Sequence, residues 1–101
     1  MLSKFRAYQA SVHFYHLAIK LKLSRHLKDQ MDRAAASVSL NLGEGYGRRS
    51  WPDKRRHYQT ALASLRECQA VLDLAQVRNQ EIVALADQLG AMLYRLCTFT
   101  P

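Results

Sequence analysis

Residues 26–53 read HLKDQMDRAAASVSLNLGEGYGRRSWPD, and this stretch decides the fold. Leu27, Met31, Ala34, Val38, Leu42 and Gly45 recur at steps of three and four, which places them on one face of an α-helix. Ala34, Ala35, Ala36, Ser37, Ser39, Gly43, Gly45 and Gly47 crowd the same segment with small side chains and let a second helix come close. A helical glycine costs about 1 kcal/mol against alanine, so three alternating glycines predict both a packing contact and a helix end. The end falls at residues 48–53. There Ser50 is placed as the N-cap of a new helix, with Asp53 three positions on and Pro52 in the first turn, where its missing N–H costs nothing.

Working outward, the helix that starts in this link runs to about residue 77. It turns Tyr58, Leu62, Leu65, Cys68, Leu72 and Ala75 inward, with Ala63, Ala70 and Leu74 as a weaker outer stripe. A last helix over about residues 80–97 repeats the seam with Ile82, Leu85, Leu89, Met92 and Leu96. The first helix, about residues 3–24, carries Phe5, Tyr8, Val12, Tyr15 and Ile19 on one face. A second stripe of Ala10, Phe14, Leu17 and Leu21 falls on roughly the opposite side at about 100° per residue. One bundle cannot bury both, so the second stripe predicts an oligomer. No strand pattern is present. The expected fold is all-α: a single domain over residues 1–101, an antiparallel up-down-up-down four-helix bundle with short links.

The chain has 101 residues, room for one core, and 49% of them are hydrophobic, which excludes a disordered chain and a multidomain enzyme. Two cysteines, Cys68 and Cys97, form no disulfide framework, and no segment has the length of a membrane span or the pattern of a signal peptide. A cytoplasmic location is expected. Fifteen Lys and Arg against eight Asp and Glu give a net charge of +7, which makes polyanions the leading partner class.

In an up-down bundle the second link shares one end with both termini. That end collects Lys4, Arg6, Arg48, Arg49, Lys54, Arg55, Arg56 and Arg95 against only Glu44 and Asp53. The opposite end is nearly balanced. Arg48, Arg49, Trp51, Lys54, Arg55, Arg56 and His57, with Lys4 and Arg6, are therefore the candidate nucleic-acid contacts: cations for phosphates beside aromatic faces for unpaired bases. Lys54, Arg55 and Arg56 sit at a helix N-terminus, where the helix dipole opposes cations, and this local cost points to function.

Other chemistry finds no constellation. Gly43, Gly45 and Gly47 follow no strand and precede no G-K-[ST], so they match no nucleotide fingerprint. His13 and His16 are three apart on a polar flank with no carboxylate near in sequence, and neither Glu44 nor Glu67 has a His three residues later. Cys68 and Cys97 read as small core residues, not nucleophiles. No enzyme activity, metal or cofactor is expected. Arg33, Ser37, Asn41 and Glu44 form a polar line down the second helix, which reads as a hydrogen-bonded seam to a neighbouring helix. Glu67 reads as a partner for Arg in another helix or subunit. With Ala10, Phe14, Leu17, Leu21, Ala63, Ala70 and Leu74 these residues make up the candidate oligomer interface.

Residues 33–50, RAAASVSLNLGEGYGRRS, followed by ALASLRE at 61–67, show the pattern R-x3-S-x3-N-x2-E-G-x-G-R. On this pattern the chain resembles the bacterial four helix bundle protein family. That family includes proteins encoded by intervening sequences of large-subunit ribosomal RNA genes and the accessory variability determinant of diversity-generating retroelements. The likeness spans nearly the whole chain, departing where Leu42-Gly43 replaces the usual Ile-Ala and Trp51-Pro52 a more polar link. It implies a protomer that assembles into a homopentameric barrel, whose five copies would carry about +35 in total. In the retroelement branch it implies a basic adaptor that binds template RNA or DNA and a reverse transcriptase to support mutagenic complementary-DNA synthesis. The rival expectation is a structural or protein-interaction bundle of the intervening-sequence type, with the Phe14 and Leu17 face as its working surface.

Overall fold

A computed structural model of the protein describes residues 2–78 and 80–98. After a short 3-10 turn at Leu2–Lys4 come four helices: α1 Arg6–Ala18, α2 Arg25–Tyr46, α3 Trp51–Leu74 and α4 Glu81–Thr98. Among the described residues no strand occurs. Each helix packs on its neighbour in the chain and α1 also packs on α4, so the four enclose one apolar core.

The contact between α2 and α3 follows the stripe that predicted it. Met31, Ala34, Val38, Leu42 and Gly45 are buried, with Leu27 half-buried. A Cβ built on Gly45 would lie 2.7 Å from Tyr58 Cε1 and 3.1 Å from His57 Cβ, so only glycine lets α3 come this near. Polar groups on the same seam pair with one another. Ser37 Oγ lies 2.8 Å from Ser64 Oγ, and Asn41 Nδ2 donates to Ser37 O at 2.9 Å and to Ser37 Oγ at 3.1 Å. The fully buried Ser11 Oγ donates to Tyr8 O at 2.6 Å, so Ser39 is the donor in the 2.8 Å contact between the two serines, tying α2 to α1.

The start of α3 forms as its capping residues dictate, with Ser50 Oγ accepting from the Asp53 N–H at 3.3 Å and Pro52 in the first turn. Its end comes at Leu74, earlier than the periodicity suggests. Gln76 adopts a left-handed φ of 57°, and the N–H groups of Gln76 and Val77 donate back to Asp73 O and Leu72 O, which closes the helix as a Schellman motif.

Three expectations are corrected. The first helix is not residues 3–24: α1 stops at Ala18, the chain turns at residues 19–20, and residues 21–24 form no regular structure; in the alternating Lys-Leu-Lys-Leu of residues 20–23, Leu21 and Leu23 are half-buried against the core and the lysines exposed. Leu21 thus belongs to a link, not to an outer helix face. Second, α1 buries Ala7, Ser11, Phe14 and Ala18, a face lying between the two apolar stripes. Phe14 is fully enclosed within the chain and so is no oligomer contact; Tyr8 and Tyr15 flank it on one side, Ala10 and Leu17 on the other, all half-buried. One bundle therefore does accommodate both stripes, leaving Ile19 37% exposed. Third, α4 buries Ile82, Ala86, Leu89, Gly90, Leu93 and Cys97, with Leu85, Met92 and Leu96 only half-buried. The small Gly90 faces α3, where a Cβ would stand 3.0 Å from Arg66 Nη1 and 3.6 Å from Leu65 Cδ2.

The glycines of α2 should respond with opposite sign. Gly45→Ala forces Tyr58 or the helix to shift and is expected to destabilise the fold by about 1–3 kcal/mol. A Cβ on Gly43 meets Leu2 and Tyr8 at an ordinary 3.8–3.9 Å, so Gly43→Ala should stabilise it by up to about 1 kcal/mol. Urea unfolding of the two variants checks both.

Candidate nucleic-acid interface

Four helix termini meet at one end of the molecule. Phe5, which precedes α1, stacks on Tyr46 at the end of α2 with ring centroids 5.0 Å apart, and it tilts against Tyr58 near the start of α3 at 6.1 Å. Arg55 of α3 donates through Nε to Cys97 O at the end of α4, at 2.8 Å. The cations that were scattered in sequence are thereby gathered, and the structure divides them into two groups.

One group is engaged by the protein. Lys54 Nζ donates to Tyr46 O at 2.9 Å and Gly45 O at 3.2 Å, the last carbonyls of α2, and lies 5.8 Å from the Tyr46 ring centre. Arg55 does the same for α4. The expectation that these side chains carry an uncompensated cost is corrected: they start in the first turn of α3, but they reach the C-terminal ends of α2 and α4, where the dipole favours a cation. Arg48 pairs with Glu44 at 2.9 Å and Arg56 loosely with Asp53 at 3.8 Å. His57 turns into the α2–α3 seam, its Nδ1 3.3 Å from Asn41 Oδ1 and its Nε2 buried, so it serves the seam and not the surface.

The other group faces solvent. Lys4, Arg6, Arg49 and Arg95 are exposed and form no ion pair among the described residues. Arg6 and Arg95 flank a shallow cleft with Phe5, Ala7, Met92 and Leu96. Arg95 was counted in the charge of this end but not as a contact, although its place in the last turn of α4 already put it there. Trp51 is half-buried, packed on the core, and lines a second cleft with Pro52, Arg55, Arg56 and Gln59.

The candidate oligomer residues fare differently. Arg33 pairs with Glu67 at 3.7 Å between α2 and α3 of the same chain, and Ser37, Asn41 and Glu44 also find partners within it. Ala63, Ala70 and Leu74 are exposed as expected. The most exposed apolar side chain of α2 is one the stripes passed over: Leu40, 68% exposed, beside a mostly apolar cleft with Val12, Tyr15 and Ala36.

His13 Nε2 lies 3.2 Å from Glu81 Oε2, a carboxylate brought in from α4 that sequence spacing could not indicate. Among the described residues no three metal-ligating groups cluster. Burial, with Glu67 adding to it, pushes the Cys68 thiol from 9.0 up to about 12, and burial likewise raises Cys97 against the lowering effect of Arg55. Neither is a ready nucleophile. No helix of the described residues is long and apolar enough to cross a membrane.

Fold and site together define a small all-helical protein with one strongly cationic end. The 23S rRNA-intervening sequence protein family matches residues 4–96, and the chain belongs to that family. No curated protein and no solved structure matches it significantly.

Lys54→Ala should lower stability by about 1 kcal/mol, because two α2 carbonyls lose their donor, whereas Arg49→Ala should leave it within about 0.5 kcal/mol; thermal melts compare them. Between pH 9.0 and about 12 the native Cys68 keeps the proton that the unfolded chain loses. Stability is therefore full below that window and falls through it, by about 1.4 kcal/mol per pH unit for this proton. Cys68→Ala should make the alkaline decline in urea unfolding shallower by that slope, while Tyr58, also raised by burial and by Tyr46, preserves part of it.

Proposed function

We propose that this chain is a non-enzymatic nucleic-acid-binding adaptor that grips the phosphates of RNA or DNA at its four-terminus end. One observation carries the reading. Eight cationic side chains meet two acidic ones there, and Lys4, Arg6, Arg49 and Arg95 stay exposed, with no ion pair among the described residues, after the protein has used Lys54 and Arg55 to close its own helices. Binding through phosphates is shape-selective more than sequence-selective, since no base-reading motif is present.

The working form is a homo-oligomer of up-down-up-down protomers, five copies on the family resemblance. Support for the protomer comes from its residue pairs: Arg33 with Glu67, Ser37 with Ser64 and Asn41 with His57 rise on α2 as they fall on α3. The apolar cleft beside Leu40 supplies a face for self-association. Recruitment of a reverse transcriptase, as in the retroelement branch, is the finer form of this proposal and rests on the resemblance carried by residues 33–50 and 61–67 alone.

Fluorescence anisotropy of a labelled structured RNA and a matched DNA duplex across a salt series tests it, with the mass of the assembly taken from light scattering. Affinity should fall steeply with salt. Replacing Arg6, Arg49 and Arg95 together by Ala should lower the slope of log K against log salt by about 2 or more and leave the melting temperature unchanged. An unchanged slope removes this end as the site, and an intact assembly that binds neither acid at low salt leaves a protein-only scaffold.

A further inference from the structure

The face of α2 that turns away from the core carries Asp29, Arg33, Ala36, Leu40, Glu44 and Gly47 at steps of three and four. All are exposed except Ala36, which is half-buried, and Leu40 at the centre is 68% exposed. Beside it lies the mostly apolar cleft between α1 and α2, about 290 Å³, that Val12, Tyr15 and Ala36 line. A leucine standing in water next to an apolar hollow leaves both unburied, and each copy of the chain has the two on one face.

The charges on this face are ordered. Along α2 come Asp29, Arg33, then Leu40, then Glu44 and Arg48, so the signs run negative, positive, negative, positive about an apolar centre. An antiparallel copy of the same helix presents the opposite sign at each of these positions. Arg33 then meets Glu44 and Asp29 meets Arg48, and both pairs share one midpoint, between residues 38 and 39. A parallel copy in register would set like charge against like. The pairs these side chains make within the chain leave them available: Arg33 stands 3.7 Å from Glu67 and Arg48 2.9 Å from Glu44, and all four are exposed.

Resting on the self-association proposed above, though not on its number of copies, we infer that the Leu40 face of α2 docks on the same face of a second copy across a two-fold axis, each Leu40 entering the cleft beside the other's Ala36. Only a two-fold rotation lets two identical faces fill both clefts at once. Leu40 and Ala36 have their midpoint at residue 38, so the register that pairs the charges also brings leucine to cleft. Burial of the two leucines supplies affinity, and the ion pairs set direction. The antiparallel arrangement points the two cationic ends away from each other, so their like charges do not oppose it. A ring of five needs two unlike faces, so this contact joins copies, or whole rings, in twos.

Light scattering of the full chain reads the number of copies, and cross-linking reads the register. The wild-type assembly should hold an even number of copies. Leu40→Glu should halve its mass with helix content unchanged, weakening the contact about tenfold or more. Arg33→Cys and Glu44→Cys chains, mixed and treated with a short bis-maleimide, should form a covalent pair. Either variant alone should not, because across the axis each cysteine lies about 16 Å along the helices from its own counterpart. Cys68 and Cys97 are buried and take no reagent. An odd number of copies, a mass that Leu40→Glu leaves intact, or a mixture that cross-links no better than the single variants overturns the two-fold contact and leaves self-association to another face. A wild-type chain that stays monomeric at high concentration overturns both the contact and the self-association beneath it.

Discussion

The close approach of α2 and α3 at Gly45 sets where everything at the cationic end can stand. Tyr58 lies against a backbone with no Cβ, and from that contact the polar seam continues through His57, Asn41, Ser37 and Ser64. The hydrogen-bond directions around Asn41 are determined. Asn41 Nδ2 donates to Ser37, so Asn41 Oδ1 is the acceptor and His57 carries its proton on Nδ1. Nε2 is then a buried acceptor with no partner among the described residues, a cost of about 1–3 kcal/mol that the packing around it absorbs. A seam in which each donor has one acceptor admits no sliding of one helix along the other, which is how buried polar groups come to specify register.

With that register set, the placement of charge follows. Lys54 and Arg55 leave α3 in adjacent positions and diverge to two different helix ends, α2 and α4. Their charges are counted twice in the life of the protein: once against the partial negative charge of those ends, and again as part of the positive field that any polyanion meets. Lys4, Arg6, Arg49 and Arg95 have only the second role.

Local signals were the ones legible in the sequence. Ser50, Pro52 and Asp53 act within one turn, and α2 has a single apolar face, so both were readable. In α1 the face was not, because Tyr8, Ala10, Val12, Phe14, Tyr15 and Leu17 surround the helix and the period fits more than one phase. What decided between the phases was which face the small Ala7, Ser11 and Ala18 could press against other helices. In α4 the small Ala86 and Gly90 turned the helix for the same reason. At the site the cations were legible and their acceptors were not: backbone carbonyls at helix ends leave no mark on residue type, so Lys54 and Arg55 looked misplaced until their partners were seen. His57 was misread as surface because the four residues before it, Asp53, Lys54, Arg55 and Arg56, are all charged.

The cross-helix reach of Arg55 has a consequence for how cheaply this end can be used. A free arginine side chain gives up about 2 kcal/mol of rotamer entropy when a ligand pins it. Here Cys97 O and Gln59 have already immobilised it as the chain folds. The ordering cost is charged to folding, so under the proposed function a phosphate would meet a guanidinium that is already still.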